Sequence, residues 1–342
     1  MPLSNLLDYS YQELLSVLTG RIRQPSYRCI QIFQAFYQQG IPDFAGMTTL
    51  PVNLRLALAD LLRIGVPVLA EKRVAADRTA KYLWVFDDGQ RAETVLVHEG
   101  DRRTACFSSQ AGCALGCIFC ATGRGGFRRG LSAGEITGQV WAVQKDSGRR
   151  VTNCVAMGQG EPLLNYEAVL KALYLLNDPN AFGIGWRHLT LSTAGIVPAI
   201  YRLADDDVPC GLAVSLHAPD DGLRSELMPV NRKYPLGDLK KACLYYNKKT
   251  GRRITFEYVL LDGVNDRQAE AKALAAYCRG ILCHLNLIPF NPVEDCPWKR
   301  PSGKRVDRFF RMLNDLGLDV FIRVEKGAEI EAACGQLAQR SE

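Results

Sequence analysis

The sequence has little that would direct the chain into a membrane or out of the cell. Across its 342 residues, no stretch reaches the roughly 18 apolar residues that a membrane-spanning helix requires. The first eight residues have neither a basic start nor a long apolar run, so a secretory signal is not expected. Low-complexity segments and internal sequence repeats are also missing. We therefore expect a cytoplasmic protein that does not associate with membranes.

The composition is typical of an ordinary globular protein. Hydrophobic residues make up 47% of the chain and charged residues 23%, which is sufficient for a full core. A chain of this length suits one large α/β domain with a small accessory domain. Its 12 cysteines are too few and too irregularly spaced for a disulfide scaffold. Reduced thiols with a metal-binding or catalytic role fit this pattern better.

Charge is mildly biased, with 42 basic against 36 acidic side chains and a net charge of +6. The distribution is more informative, because basic residues form clusters that could contact phosphates. The three clusters are Lys248, Lys249, Arg252 and Arg253; Lys299, Arg300, Lys304 and Arg305; and Arg124, Arg128 and Arg129. Any one such cluster is more often a solvated surface, so an RNA partner and a plain basic surface both stay open at this point.

Strand-like and helical segments alternate from about residue 101 onward, which predicts βαβ units and a parallel sheet. Strands are predicted at 104–108, 151–157, 188–192, 211–216, 254–261, 283–289 and 318–323, with helices near 133–147, 166–177, 196–205, 236–249, 267–279 and 304–316. About six such repeats favour an α/β fold with a partial (β/α)6 barrel over an open doubly wound sheet.

The segments on either side of this barrel complete the predicted organisation. Residues 1–75 read as a small helical N-terminal accessory domain, and 76–100 as a linking β-hairpin with a turn at Asp88-Gly89. The barrel then occupies 101–325, and 326–342 form a C-terminal tail.

Three cysteines within eight residues, Cys113, Cys117 and Cys120, are the most informative feature of the chain. A 4Fe–4S cluster has four iron corners that each need a ligand. Three thiolates leave one corner open, and S-adenosylmethionine is the known ligand for such a corner. The CxxxCxxC spacing is therefore typical of a radical-SAM cluster. The alternative is a structural zinc site, which takes four ligands, usually in two pairs, and no paired cysteine or histidine lies nearby.

Other polar residues follow the predicted strands, at the edge where a barrel forms its site. These candidates for cofactor contact are Gly160, Glu161, Ser192, Ser215, Leu216, His217 and Asn291. Glycine lets the backbone approach a ligand, and a carboxylate at such a turn can bind the ammonium group of an amino acid. Taken alone, each position also fits a plain βα turn or a structural histidine.

Two further cysteines stand apart from the expected inert ones. Cys106 lies seven residues before Cys113, and Cys334 lies in a small-residue, Gly-flanked segment near the C-terminus, where a thiol could reach a substrate. The remaining thiols that we interpret as buried and inert are Cys29, Cys154, Cys243, Cys278 and Cys283.

Several blocks make the sequence similar to the RlmN/Cfr family of radical-SAM RNA adenosine methyltransferases. The resemblance runs in register from about residue 5 to residue 338. The matching blocks span 106–120, 157–165, 191–198, 215–219, 226–235, 286–292 and 332–337. The blocks around Cys106 and Cys334 separate this family from other radical-SAM enzymes.

The resemblance implies methylation of adenosine carbon 2 in 23S rRNA, and in tRNA next to the anticodon, with two S-adenosylmethionine molecules per turnover. In the family, a cysteine matching Cys334 is methylated first. A radical then removes a hydrogen from that methyl group, and the resulting carbon adds to the adenine ring as a covalent protein–RNA adduct. A base matching Glu93 takes the ring proton, and Cys106 resolves the adduct by forming a disulfide with Cys334. From the residues alone, Glu93 is merely a carboxylate at a strand edge.

The resemblance also implies the partners and leaves alternatives open. Expected partners are 23S rRNA, tRNA, an electron-donor protein such as flavodoxin or ferredoxin, and a thiol reductant, with the chain acting as a monomer and its N-terminal domain binding RNA. Cfr-type methylation of carbon 8 shares every cysteine. A non-catalytic iron–sulfur RNA-binding paralog and a radical-SAM enzyme acting on a peptide or small molecule also remain. The segment Val324-Glu325-Lys326, Gly130 and Ala35 depart from the family pattern, which bears on the choice of RNA.

Overall fold

We describe the protein from a computed structural model, in which residues 3–293 and 296–337 are described. Of the predicted C-terminal tail, 338–342 therefore lie outside the described residues. The described strands, in chain order, are β1 (Ser4–Asn5), β2 (Leu62–Arg63), β3 (Val68–Val74), β4 (Ala80–Val85), β5 (Arg91–Glu99), β6 (Arg102–Cys106), β7 (Gln110–Gly112), β8 (Phe127–Gly130), β9 (Asn153–Ala156), β10 (Leu189–Thr193), β11 (Gly211–Ser215), β12 (Ile254–Leu260), β13 (Cys283–Pro289) and β14 (Val320–Ile322).

Ten of these strands form one sheet, in the order β14-β13-β12-β11-β10-β9-β6-β5-β4-β3. Every neighbouring pair from β14 to β6 is parallel, and these are the seven strands that the sequence predicts. From β6 to β3 the pairs are antiparallel, so the predicted hairpin β4–β5 extends the barrel sheet. The parallel order confirms the predicted α/β barrel fold and brings the carboxyl ends of its strands to one edge.

Helices connect the parallel strands and cover one face of the sheet. The described helices are α1 (Tyr11–Ser16), α2 (Tyr27–Phe33), α3 (Val52–Leu61), α4 (Ala121–Arg124), α5 (Ala133–Ser147), α6 (Tyr166–Asn177), α7 (Val197–Asp205), α8 (Asp221–Leu227), α9 (Leu236–Thr250), α10 (Gln268–Cys278) and α11 (Gly303–Asp315). The six predicted barrel helices are confirmed within two residues at each end. Among the described helices, none combines the length and the apolar character needed to cross a bilayer.

Local sequence signals explain why α5, one of the two longest described helices, begins and ends where it does. Ser132 accepts a hydrogen bond from the Glu135 amide while the Glu135 carboxylate accepts from Ser132, which forms a capping box. Gly148 ends the helix in the left-handed conformation. Most of α5 is buried, because it packs against both α6 and the N-terminal region.

The N-terminal helices pack directly on α5. The Phe36 and Trp141 rings stack with centroids 4.8 Å apart, and Trp141 Nε1 donates to the Phe36 carbonyl at 2.8 Å. A Cβ at Gly134 would lie 2.9 Å from the Leu7 backbone, so the small residue allows the two segments to approach closely. In this region α2 is followed directly by a π-helical turn over Gln34–Gln38.

Candidate active site

A short two-stranded ribbon closes the segment that carries the three clustered cysteines, residues 113–120, which we call the cluster loop. β7 pairs antiparallel with β8 on the other side of the loop. The Cys113 amide donates to the Gly126 carbonyl at 2.9 Å. Gly112 has a φ of +78°, and a Cβ there would lie 2.0 Å from the Gly126 carbonyl oxygen. The ribbon was not predicted from the sequence, and it fixes both ends of the loop.

The thiols of Cys113, Cys117 and Cys120 interact with one another, with Cys113 buried and the other two half-buried. Burial raises the pKa of Cys113 to about 11 and also raises the pKa of Cys120. The pKa of Cys117 is raised by burial and then by the neighbouring Cys120 and Cys113 thiols. Three thiolates here are therefore unfavourable together unless a cation compensates them.

The donor chemistry of the cluster loop fits an iron–sulfur cluster. Within the described residues, no group of three or more His, Cys, Asp or Glu side chains forms a site for a single metal ion. A 4Fe–4S cluster makes a different demand, because its thiolates bind separate iron corners. Three thiols that repel one another as thiolates suit such a cluster, whereas a closed zinc site takes four ligands around one ion.

The C-terminal segment docks against the cluster loop and α4. The Ala121 amide donates to the Gly335 carbonyl at 2.8 Å, and Thr122 Oγ1 donates to the Leu337 carbonyl at 2.6 Å. These bonds flank Cys334 on its C-terminal side, so the predicted reactive thiol is held next to the cluster loop.

Cys106 and Cys334 face the same region and are not bonded to each other. Cys106 is the last residue of β6. Burial and then the Cys334 thiol raise the pKa of Cys106 to about 12, against the opposing effect of Arg323. The Cys334 thiol, followed by Glu257 and Cys106, raises the pKa of Arg323 despite its burial. Arg323 therefore supplies positive charge to both thiols.

Glu93 lies on β5 and is 4% exposed. Its Oε1 lies 3.3 Å from Lys81 Nζ, and its Oε2 accepts a hydrogen bond from Gln159 Nε2 at 3.5 Å. The same Lys81 Nζ donates to the Glu331 carbonyl at 3.2 Å. A single buried ammonium thus links the predicted base to the segment that carries Cys334.

Glu161 occupies the turn after β9 and is nearly fully buried. Its Oε2 accepts from the Ala194 amide at 2.7 Å and its Oε1 from the Leu163 amide at 3.0 Å. Burial raises the pKa of Glu161 to about 7 in spite of these hydrogen bonds. A cationic amino group would reverse this shift. Gly160 has a φ of +100°, and a Cβ there would lie 2.6 Å from the Gln110 side chain. The turn after β9 therefore packs closely against β7, the strand that precedes the cluster loop.

Ser192 and Ser215 lie in β10 and β11, near the ends of two adjacent parallel strands. Both are half-buried. Ser215 pairs in register with Glu257 of β12, which pairs with Asn286 of β13. Asn286 Nδ2 donates to Glu257 Oε1 at 3.1 Å, so these residues form a polar row across the sheet.

His217 has a φ of +58° and joins the strand ends to the cluster loop. Its Nδ1 accepts from the Val259 amide at 3.0 Å, and its carbonyl accepts from Asn265 Nδ2 at 2.9 Å. The ring lies edge-to-face against Phe119, with centroids 4.8 Å apart. Burial lowers the pKa of His217 to about 3, so the imidazole is neutral. Its contact with a cofactor, and that of the buried neighbour Leu216, stays a prediction.

Asn291 contacts the reactive tail directly. Its Nδ2 donates to the Cys334 carbonyl at 3.3 Å, and its Oδ1 accepts from Arg300 Nη1 at 3.1 Å. Arg300 also pairs with Glu325, the acidic residue that departs from the family pattern. The charge of Glu325 is therefore partly compensated within the protein.

Several charges in this region were not predicted: the buried Lys81, Arg224 and Glu257, and the half-buried Arg323. Lys81 and Glu257 are each the one charged residue of a largely apolar strand, and Arg323 directly follows an apolar strand. A charge at such a position is a sequence signal that could have identified them. Arg224 lies on the short helix α8, whose charged sequence reads as a solvated surface, so no comparable signal exists for it.

The basic clusters are largely paired with acidic side chains of the same chain. Lys249, Arg252 and Arg253 form ion pairs with Asp205, Asp207 and Asp319 respectively. Arg129 binds Asp88 and Glu135, and Arg305 binds Asp262 and Asp266. These clusters therefore offer less charge to RNA than their sequence implies.

Two family models match separate parts of the chain. Residues 4–64 match the ribosomal RNA large subunit methyltransferase N-terminal domain, and residues 107–275 match the radical SAM superfamily. A crystal structure of a radical SAM methyltransferase from Sphaerobacter thermophilus is 46% identical in sequence, with a TM-score of 0.93, covering 98% of this chain and 99% of that one.

Curated relatives are similar over nearly the same length. A "Probable dual-specificity RNA methyltransferase RlmN" from Dictyoglomus thermophilum is 43% identical over 338 residues, covering 98% of this chain and 97% of that protein. A protein of the same description from Symbiobacterium thermophilum is 45% identical over 336 residues, covering 96% of this chain and 90% of its own length.

Proposed function

The chain belongs to the RlmN family of radical-SAM RNA methyltransferases, and we propose that it methylates carbon 2 of an adenosine in 23S rRNA and in tRNA. One observation carries this proposal: two unbonded thiols, Cys106 and Cys334, lie together beside the cluster loop. A radical-SAM enzyme that only abstracts hydrogen from its substrate does not need this pair. A reaction that passes through a methyl group on the protein uses both thiols.

In this proposal Cys113, Cys117 and Cys120 hold a 4Fe–4S cluster. When bound, the cluster and S-adenosylmethionine, two molecules of it per turnover, supply the one-electron chemistry that removes hydrogen from an unactivated methyl group. The residues that would bind S-adenosylmethionine are Gly160, Glu161, Ser192, Ser215, Leu216, His217 and Asn291. The Glu161 carboxylate is the strongest of these candidates, because a cationic amino group would offset the cost of burying it.

Three side chains act on the RNA. Cys334 Sγ carries the methyl carbon to the adenine, where it forms a covalent adduct. A Glu93 carboxylate oxygen accepts the ring proton as a general base, while Lys81 and Gln159 hold that carboxylate in place. Cys106 Sγ then attacks Cys334 Sγ and forms a sulfur–sulfur bond. The sulfur–carbon bond breaks with its electron pair passing to the methylene carbon, which takes up a proton as the methyl group of the product, and a Cys106–Cys334 disulfide remains. Arg323 favours the attacking thiolate electrostatically.

The proposal extends to the partners, the oligomeric state and the location of the protein. The N-terminal region binds RNA, an electron-donor protein such as flavodoxin or ferredoxin delivers electrons, and a thiol reductant reopens the disulfide. The chain acts as a monomer in the cytoplasm, where its RNA substrates are made.

Nucleoside analysis tests the proposal. The protein is reconstituted anaerobically with iron, sulfide, S-adenosylmethionine and a reductant, then incubated with 23S rRNA fragments and with tRNA. Mass spectrometry of the digested RNA should reveal 2-methyladenosine, and Cys334→Ala should yield none. Recovery of 8-methyladenosine alone would assign the chain to the Cfr-type activity. RNA binding without any methylation or covalent adduct would favour a non-catalytic paralog.

A further inference from the structure

Arg224 lies on α8 and has no exposed surface. Its guanidinium donates to the Ala194 and Ser215 carbonyls at 2.8 and 2.9 Å through Nη2, and to the Leu216 carbonyl at 3.1 Å through Nε. Nη1 donates to Asn231 Oδ1 at 2.8 Å. Three of these acceptors are main-chain carbonyls at the ends of β10 and β11, so one side chain fixes two of the strand ends that border the proposed cofactor space.

All four of these acceptors are neutral. No carboxylate within residues 3–293 and 296–337 forms an ion pair with Arg224. Burial accordingly lowers the pKa of Arg224 from its ordinary value, yet arginine retains its charge in proteins. Burying a cation is unfavourable unless an opposite charge compensates it. Asp221 is linked to Arg224 only through Asn231 and offsets the effect of burial only in part, so the positive charge is incompletely balanced within the protein.

The cluster loop lies next to this charge. The Ile118 amide donates to the carbonyl of Leu227, the last residue of α8, at 3.1 Å. Arg224 Nε also donates to the Leu216 carbonyl, and the ring of the next residue, His217, packs edge-to-face on Phe119 of the cluster loop, with centroids 4.8 Å apart. The cation is thus placed to favour negative charge on the cluster loop.

We propose that Arg224 sets the reduction potential of the cluster held by Cys113, Cys117 and Cys120. The inference rests on the proposed function only in requiring that a 4Fe–4S cluster is bound. Reduction adds one electron to a centre that already carries three thiolates. A fixed positive charge in surroundings that exclude water stabilises the reduced state more than the oxidised state. Arg224 is a positioning residue, since it contacts neither substrate nor reacting atoms.

The experiment measures the midpoint potential of the reconstituted full-length protein, without RNA, by redox titration followed with electron paramagnetic resonance. Wild type is compared with Arg224→Gln and Arg224→Met, which remove the charge, and with Arg224→Lys, which keeps it but loses most of the hydrogen bonds. Asn231→Ala is the matched control, because it removes one acceptor and leaves the arginine in place. Iron and sulfide contents confirm that each protein is loaded.

Both neutral variants should have a midpoint more negative than wild type, while Arg224→Lys and Asn231→Ala should stay close to wild type. If the neutral variants fail to hold a cluster that the lysine variant holds, the requirement for the charge is again supported. Equal midpoints in wild type, Arg224→Gln and Arg224→Met would overturn the inference, and so would an Arg224→Lys midpoint as negative as theirs. If none of the three Arg224 variants binds a cluster, the inference is also overturned, because the hydrogen bonds of the arginine rather than its charge would then be required for cluster binding.

The failure of this inference is distinguishable from that of the proposed function. A wild-type protein that binds no cluster under these conditions contradicts both. A wild-type protein that binds a cluster and methylates carbon 2, with unchanged potentials in the neutral variants, leaves the proposed function intact and rejects the role of Arg224.

Discussion

Lys81 Nζ lies 3.3 Å from Glu93 Oε1, and the two side chains are 9% and 5% exposed. The same ammonium donates to the Glu331 carbonyl, three residues before Cys334. An ion pair this deeply buried is screened little by solvent, so its geometry is held firmly. The contact therefore couples the orientation of the proposed base to the docking of the tail.

The Lys81–Glu93 pair predicts that Lys81→Met slows proton removal without weakening RNA binding. Methylation should fall on the order of 100-fold, at the lower end of what a positioned base contributes. The covalent protein–RNA adduct should accumulate, because its resolution awaits that proton transfer. Gel analysis of adduct during turnover measures this.

Two comparisons control this prediction. Lys72→Met removes a more exposed lysine that pairs with Asp146 and should leave the rate unchanged. The double variant Lys81→Met/Glu93→Gln should be no slower than Glu93→Gln alone, since both changes act on one group. Additive losses in the double variant would show that Lys81 acts independently of Glu93.

The proximity of Cys106 and Cys334 predicts opposite effects of their replacement. Cys106→Ala removes the attacking thiol and should trap RNA covalently on the protein. Cys334→Ala removes the methyl carrier and should give no adduct at all. Denaturing electrophoresis with labelled RNA, with and without S-adenosylmethionine, distinguishes the two variants. Adduct formation by Cys334→Ala would contradict the assigned roles.

Docking of the tail depends on Gly335. This residue has a φ of +85°, and a Cβ there would lie 3.3 Å from the Phe119 carbonyl oxygen. Backbone strain of at least about 1 kcal/mol is expected for Gly335→Ala, which reduces the docked population by roughly fivefold or more. Limited proteolysis should cleave the tail faster, while the absorption spectrum of the cluster stays unchanged.

Gly317→Ala is the matched control for this prediction. Gly317 has a similar φ of +80°, but its Cβ would meet nothing within 4 Å. Equal effects of the two substitutions on tail cleavage would mean that strain alone, rather than contact with the cluster loop, explains the result.

The elements that hydrophobic periodicity defines were predicted well, and this has a physical cause. The seven parallel strands and the six barrel helices each bury a continuous apolar face, so the pattern that forms them is local. β7 and β8 were missed because they are short, Gly-containing and polar. Their pairing depends on closing the cluster loop, which is a non-local requirement.

The sequence predicts the cysteines of the candidate site but not the charges around them. Spacing alone predicts Cys113, Cys117 and Cys120 as cluster ligands, because a cluster requires ligands at fixed separations, and this assignment stays a prediction. The roles given to Cys106, Cys334 and Glu93 came from resemblance and remain untested. The burial of Arg224 was not predicted, because a charged residue on a short helix is expected to be exposed. Only the fold shows that its side chain points inward.

Burial of His217 predicts acid sensitivity of the folded protein. Its pKa is lowered to about 3 in the fold and is about 6.5 when unfolded. Between these values the unfolded chain binds the proton and the native state does not, so stability falls as pH falls. Without this imidazole, the free energy of unfolding should therefore fall by about 2 kcal/mol less between pH 7 and pH 5.

The substitution that tests this is His217→Asn, because asparagine tolerates the positive φ of this position. Urea unfolding of the protein without cluster, at pH 7 and pH 5, should show a smaller stability loss for His217→Asn than for wild type. His284→Asn serves as the control, since that histidine is half-buried and the fall in its pKa is smaller. An identical pH dependence in wild type and His217→Asn would exclude the neutral buried imidazole as the cause.

The exposed ring of Phe127 predicts a contact with RNA. Phe127 is 44% exposed on β8, next to the exposed Arg128, and the ribbon that carries it closes the cluster loop. An exposed aromatic ring beside a basic residue is suited to stacking on an unpaired base. Since such stacking contributes about 1–3 kcal/mol per base, Phe127→Ala should weaken RNA binding by roughly tenfold, with the unfolding free energy nearly unchanged.

Phe321→Ala removes a similarly exposed ring on the outer strand β14 and should have no effect on binding. Filter binding at two salt concentrations measures the affinity and its salt dependence. Phe127→Ala should lower the affinity while keeping the salt dependence, because stacking involves no counterion release. Arg128→Gln should instead reduce the salt dependence. Equal affinities for wild type and Phe127→Ala would remove this ribbon from the RNA-binding surface.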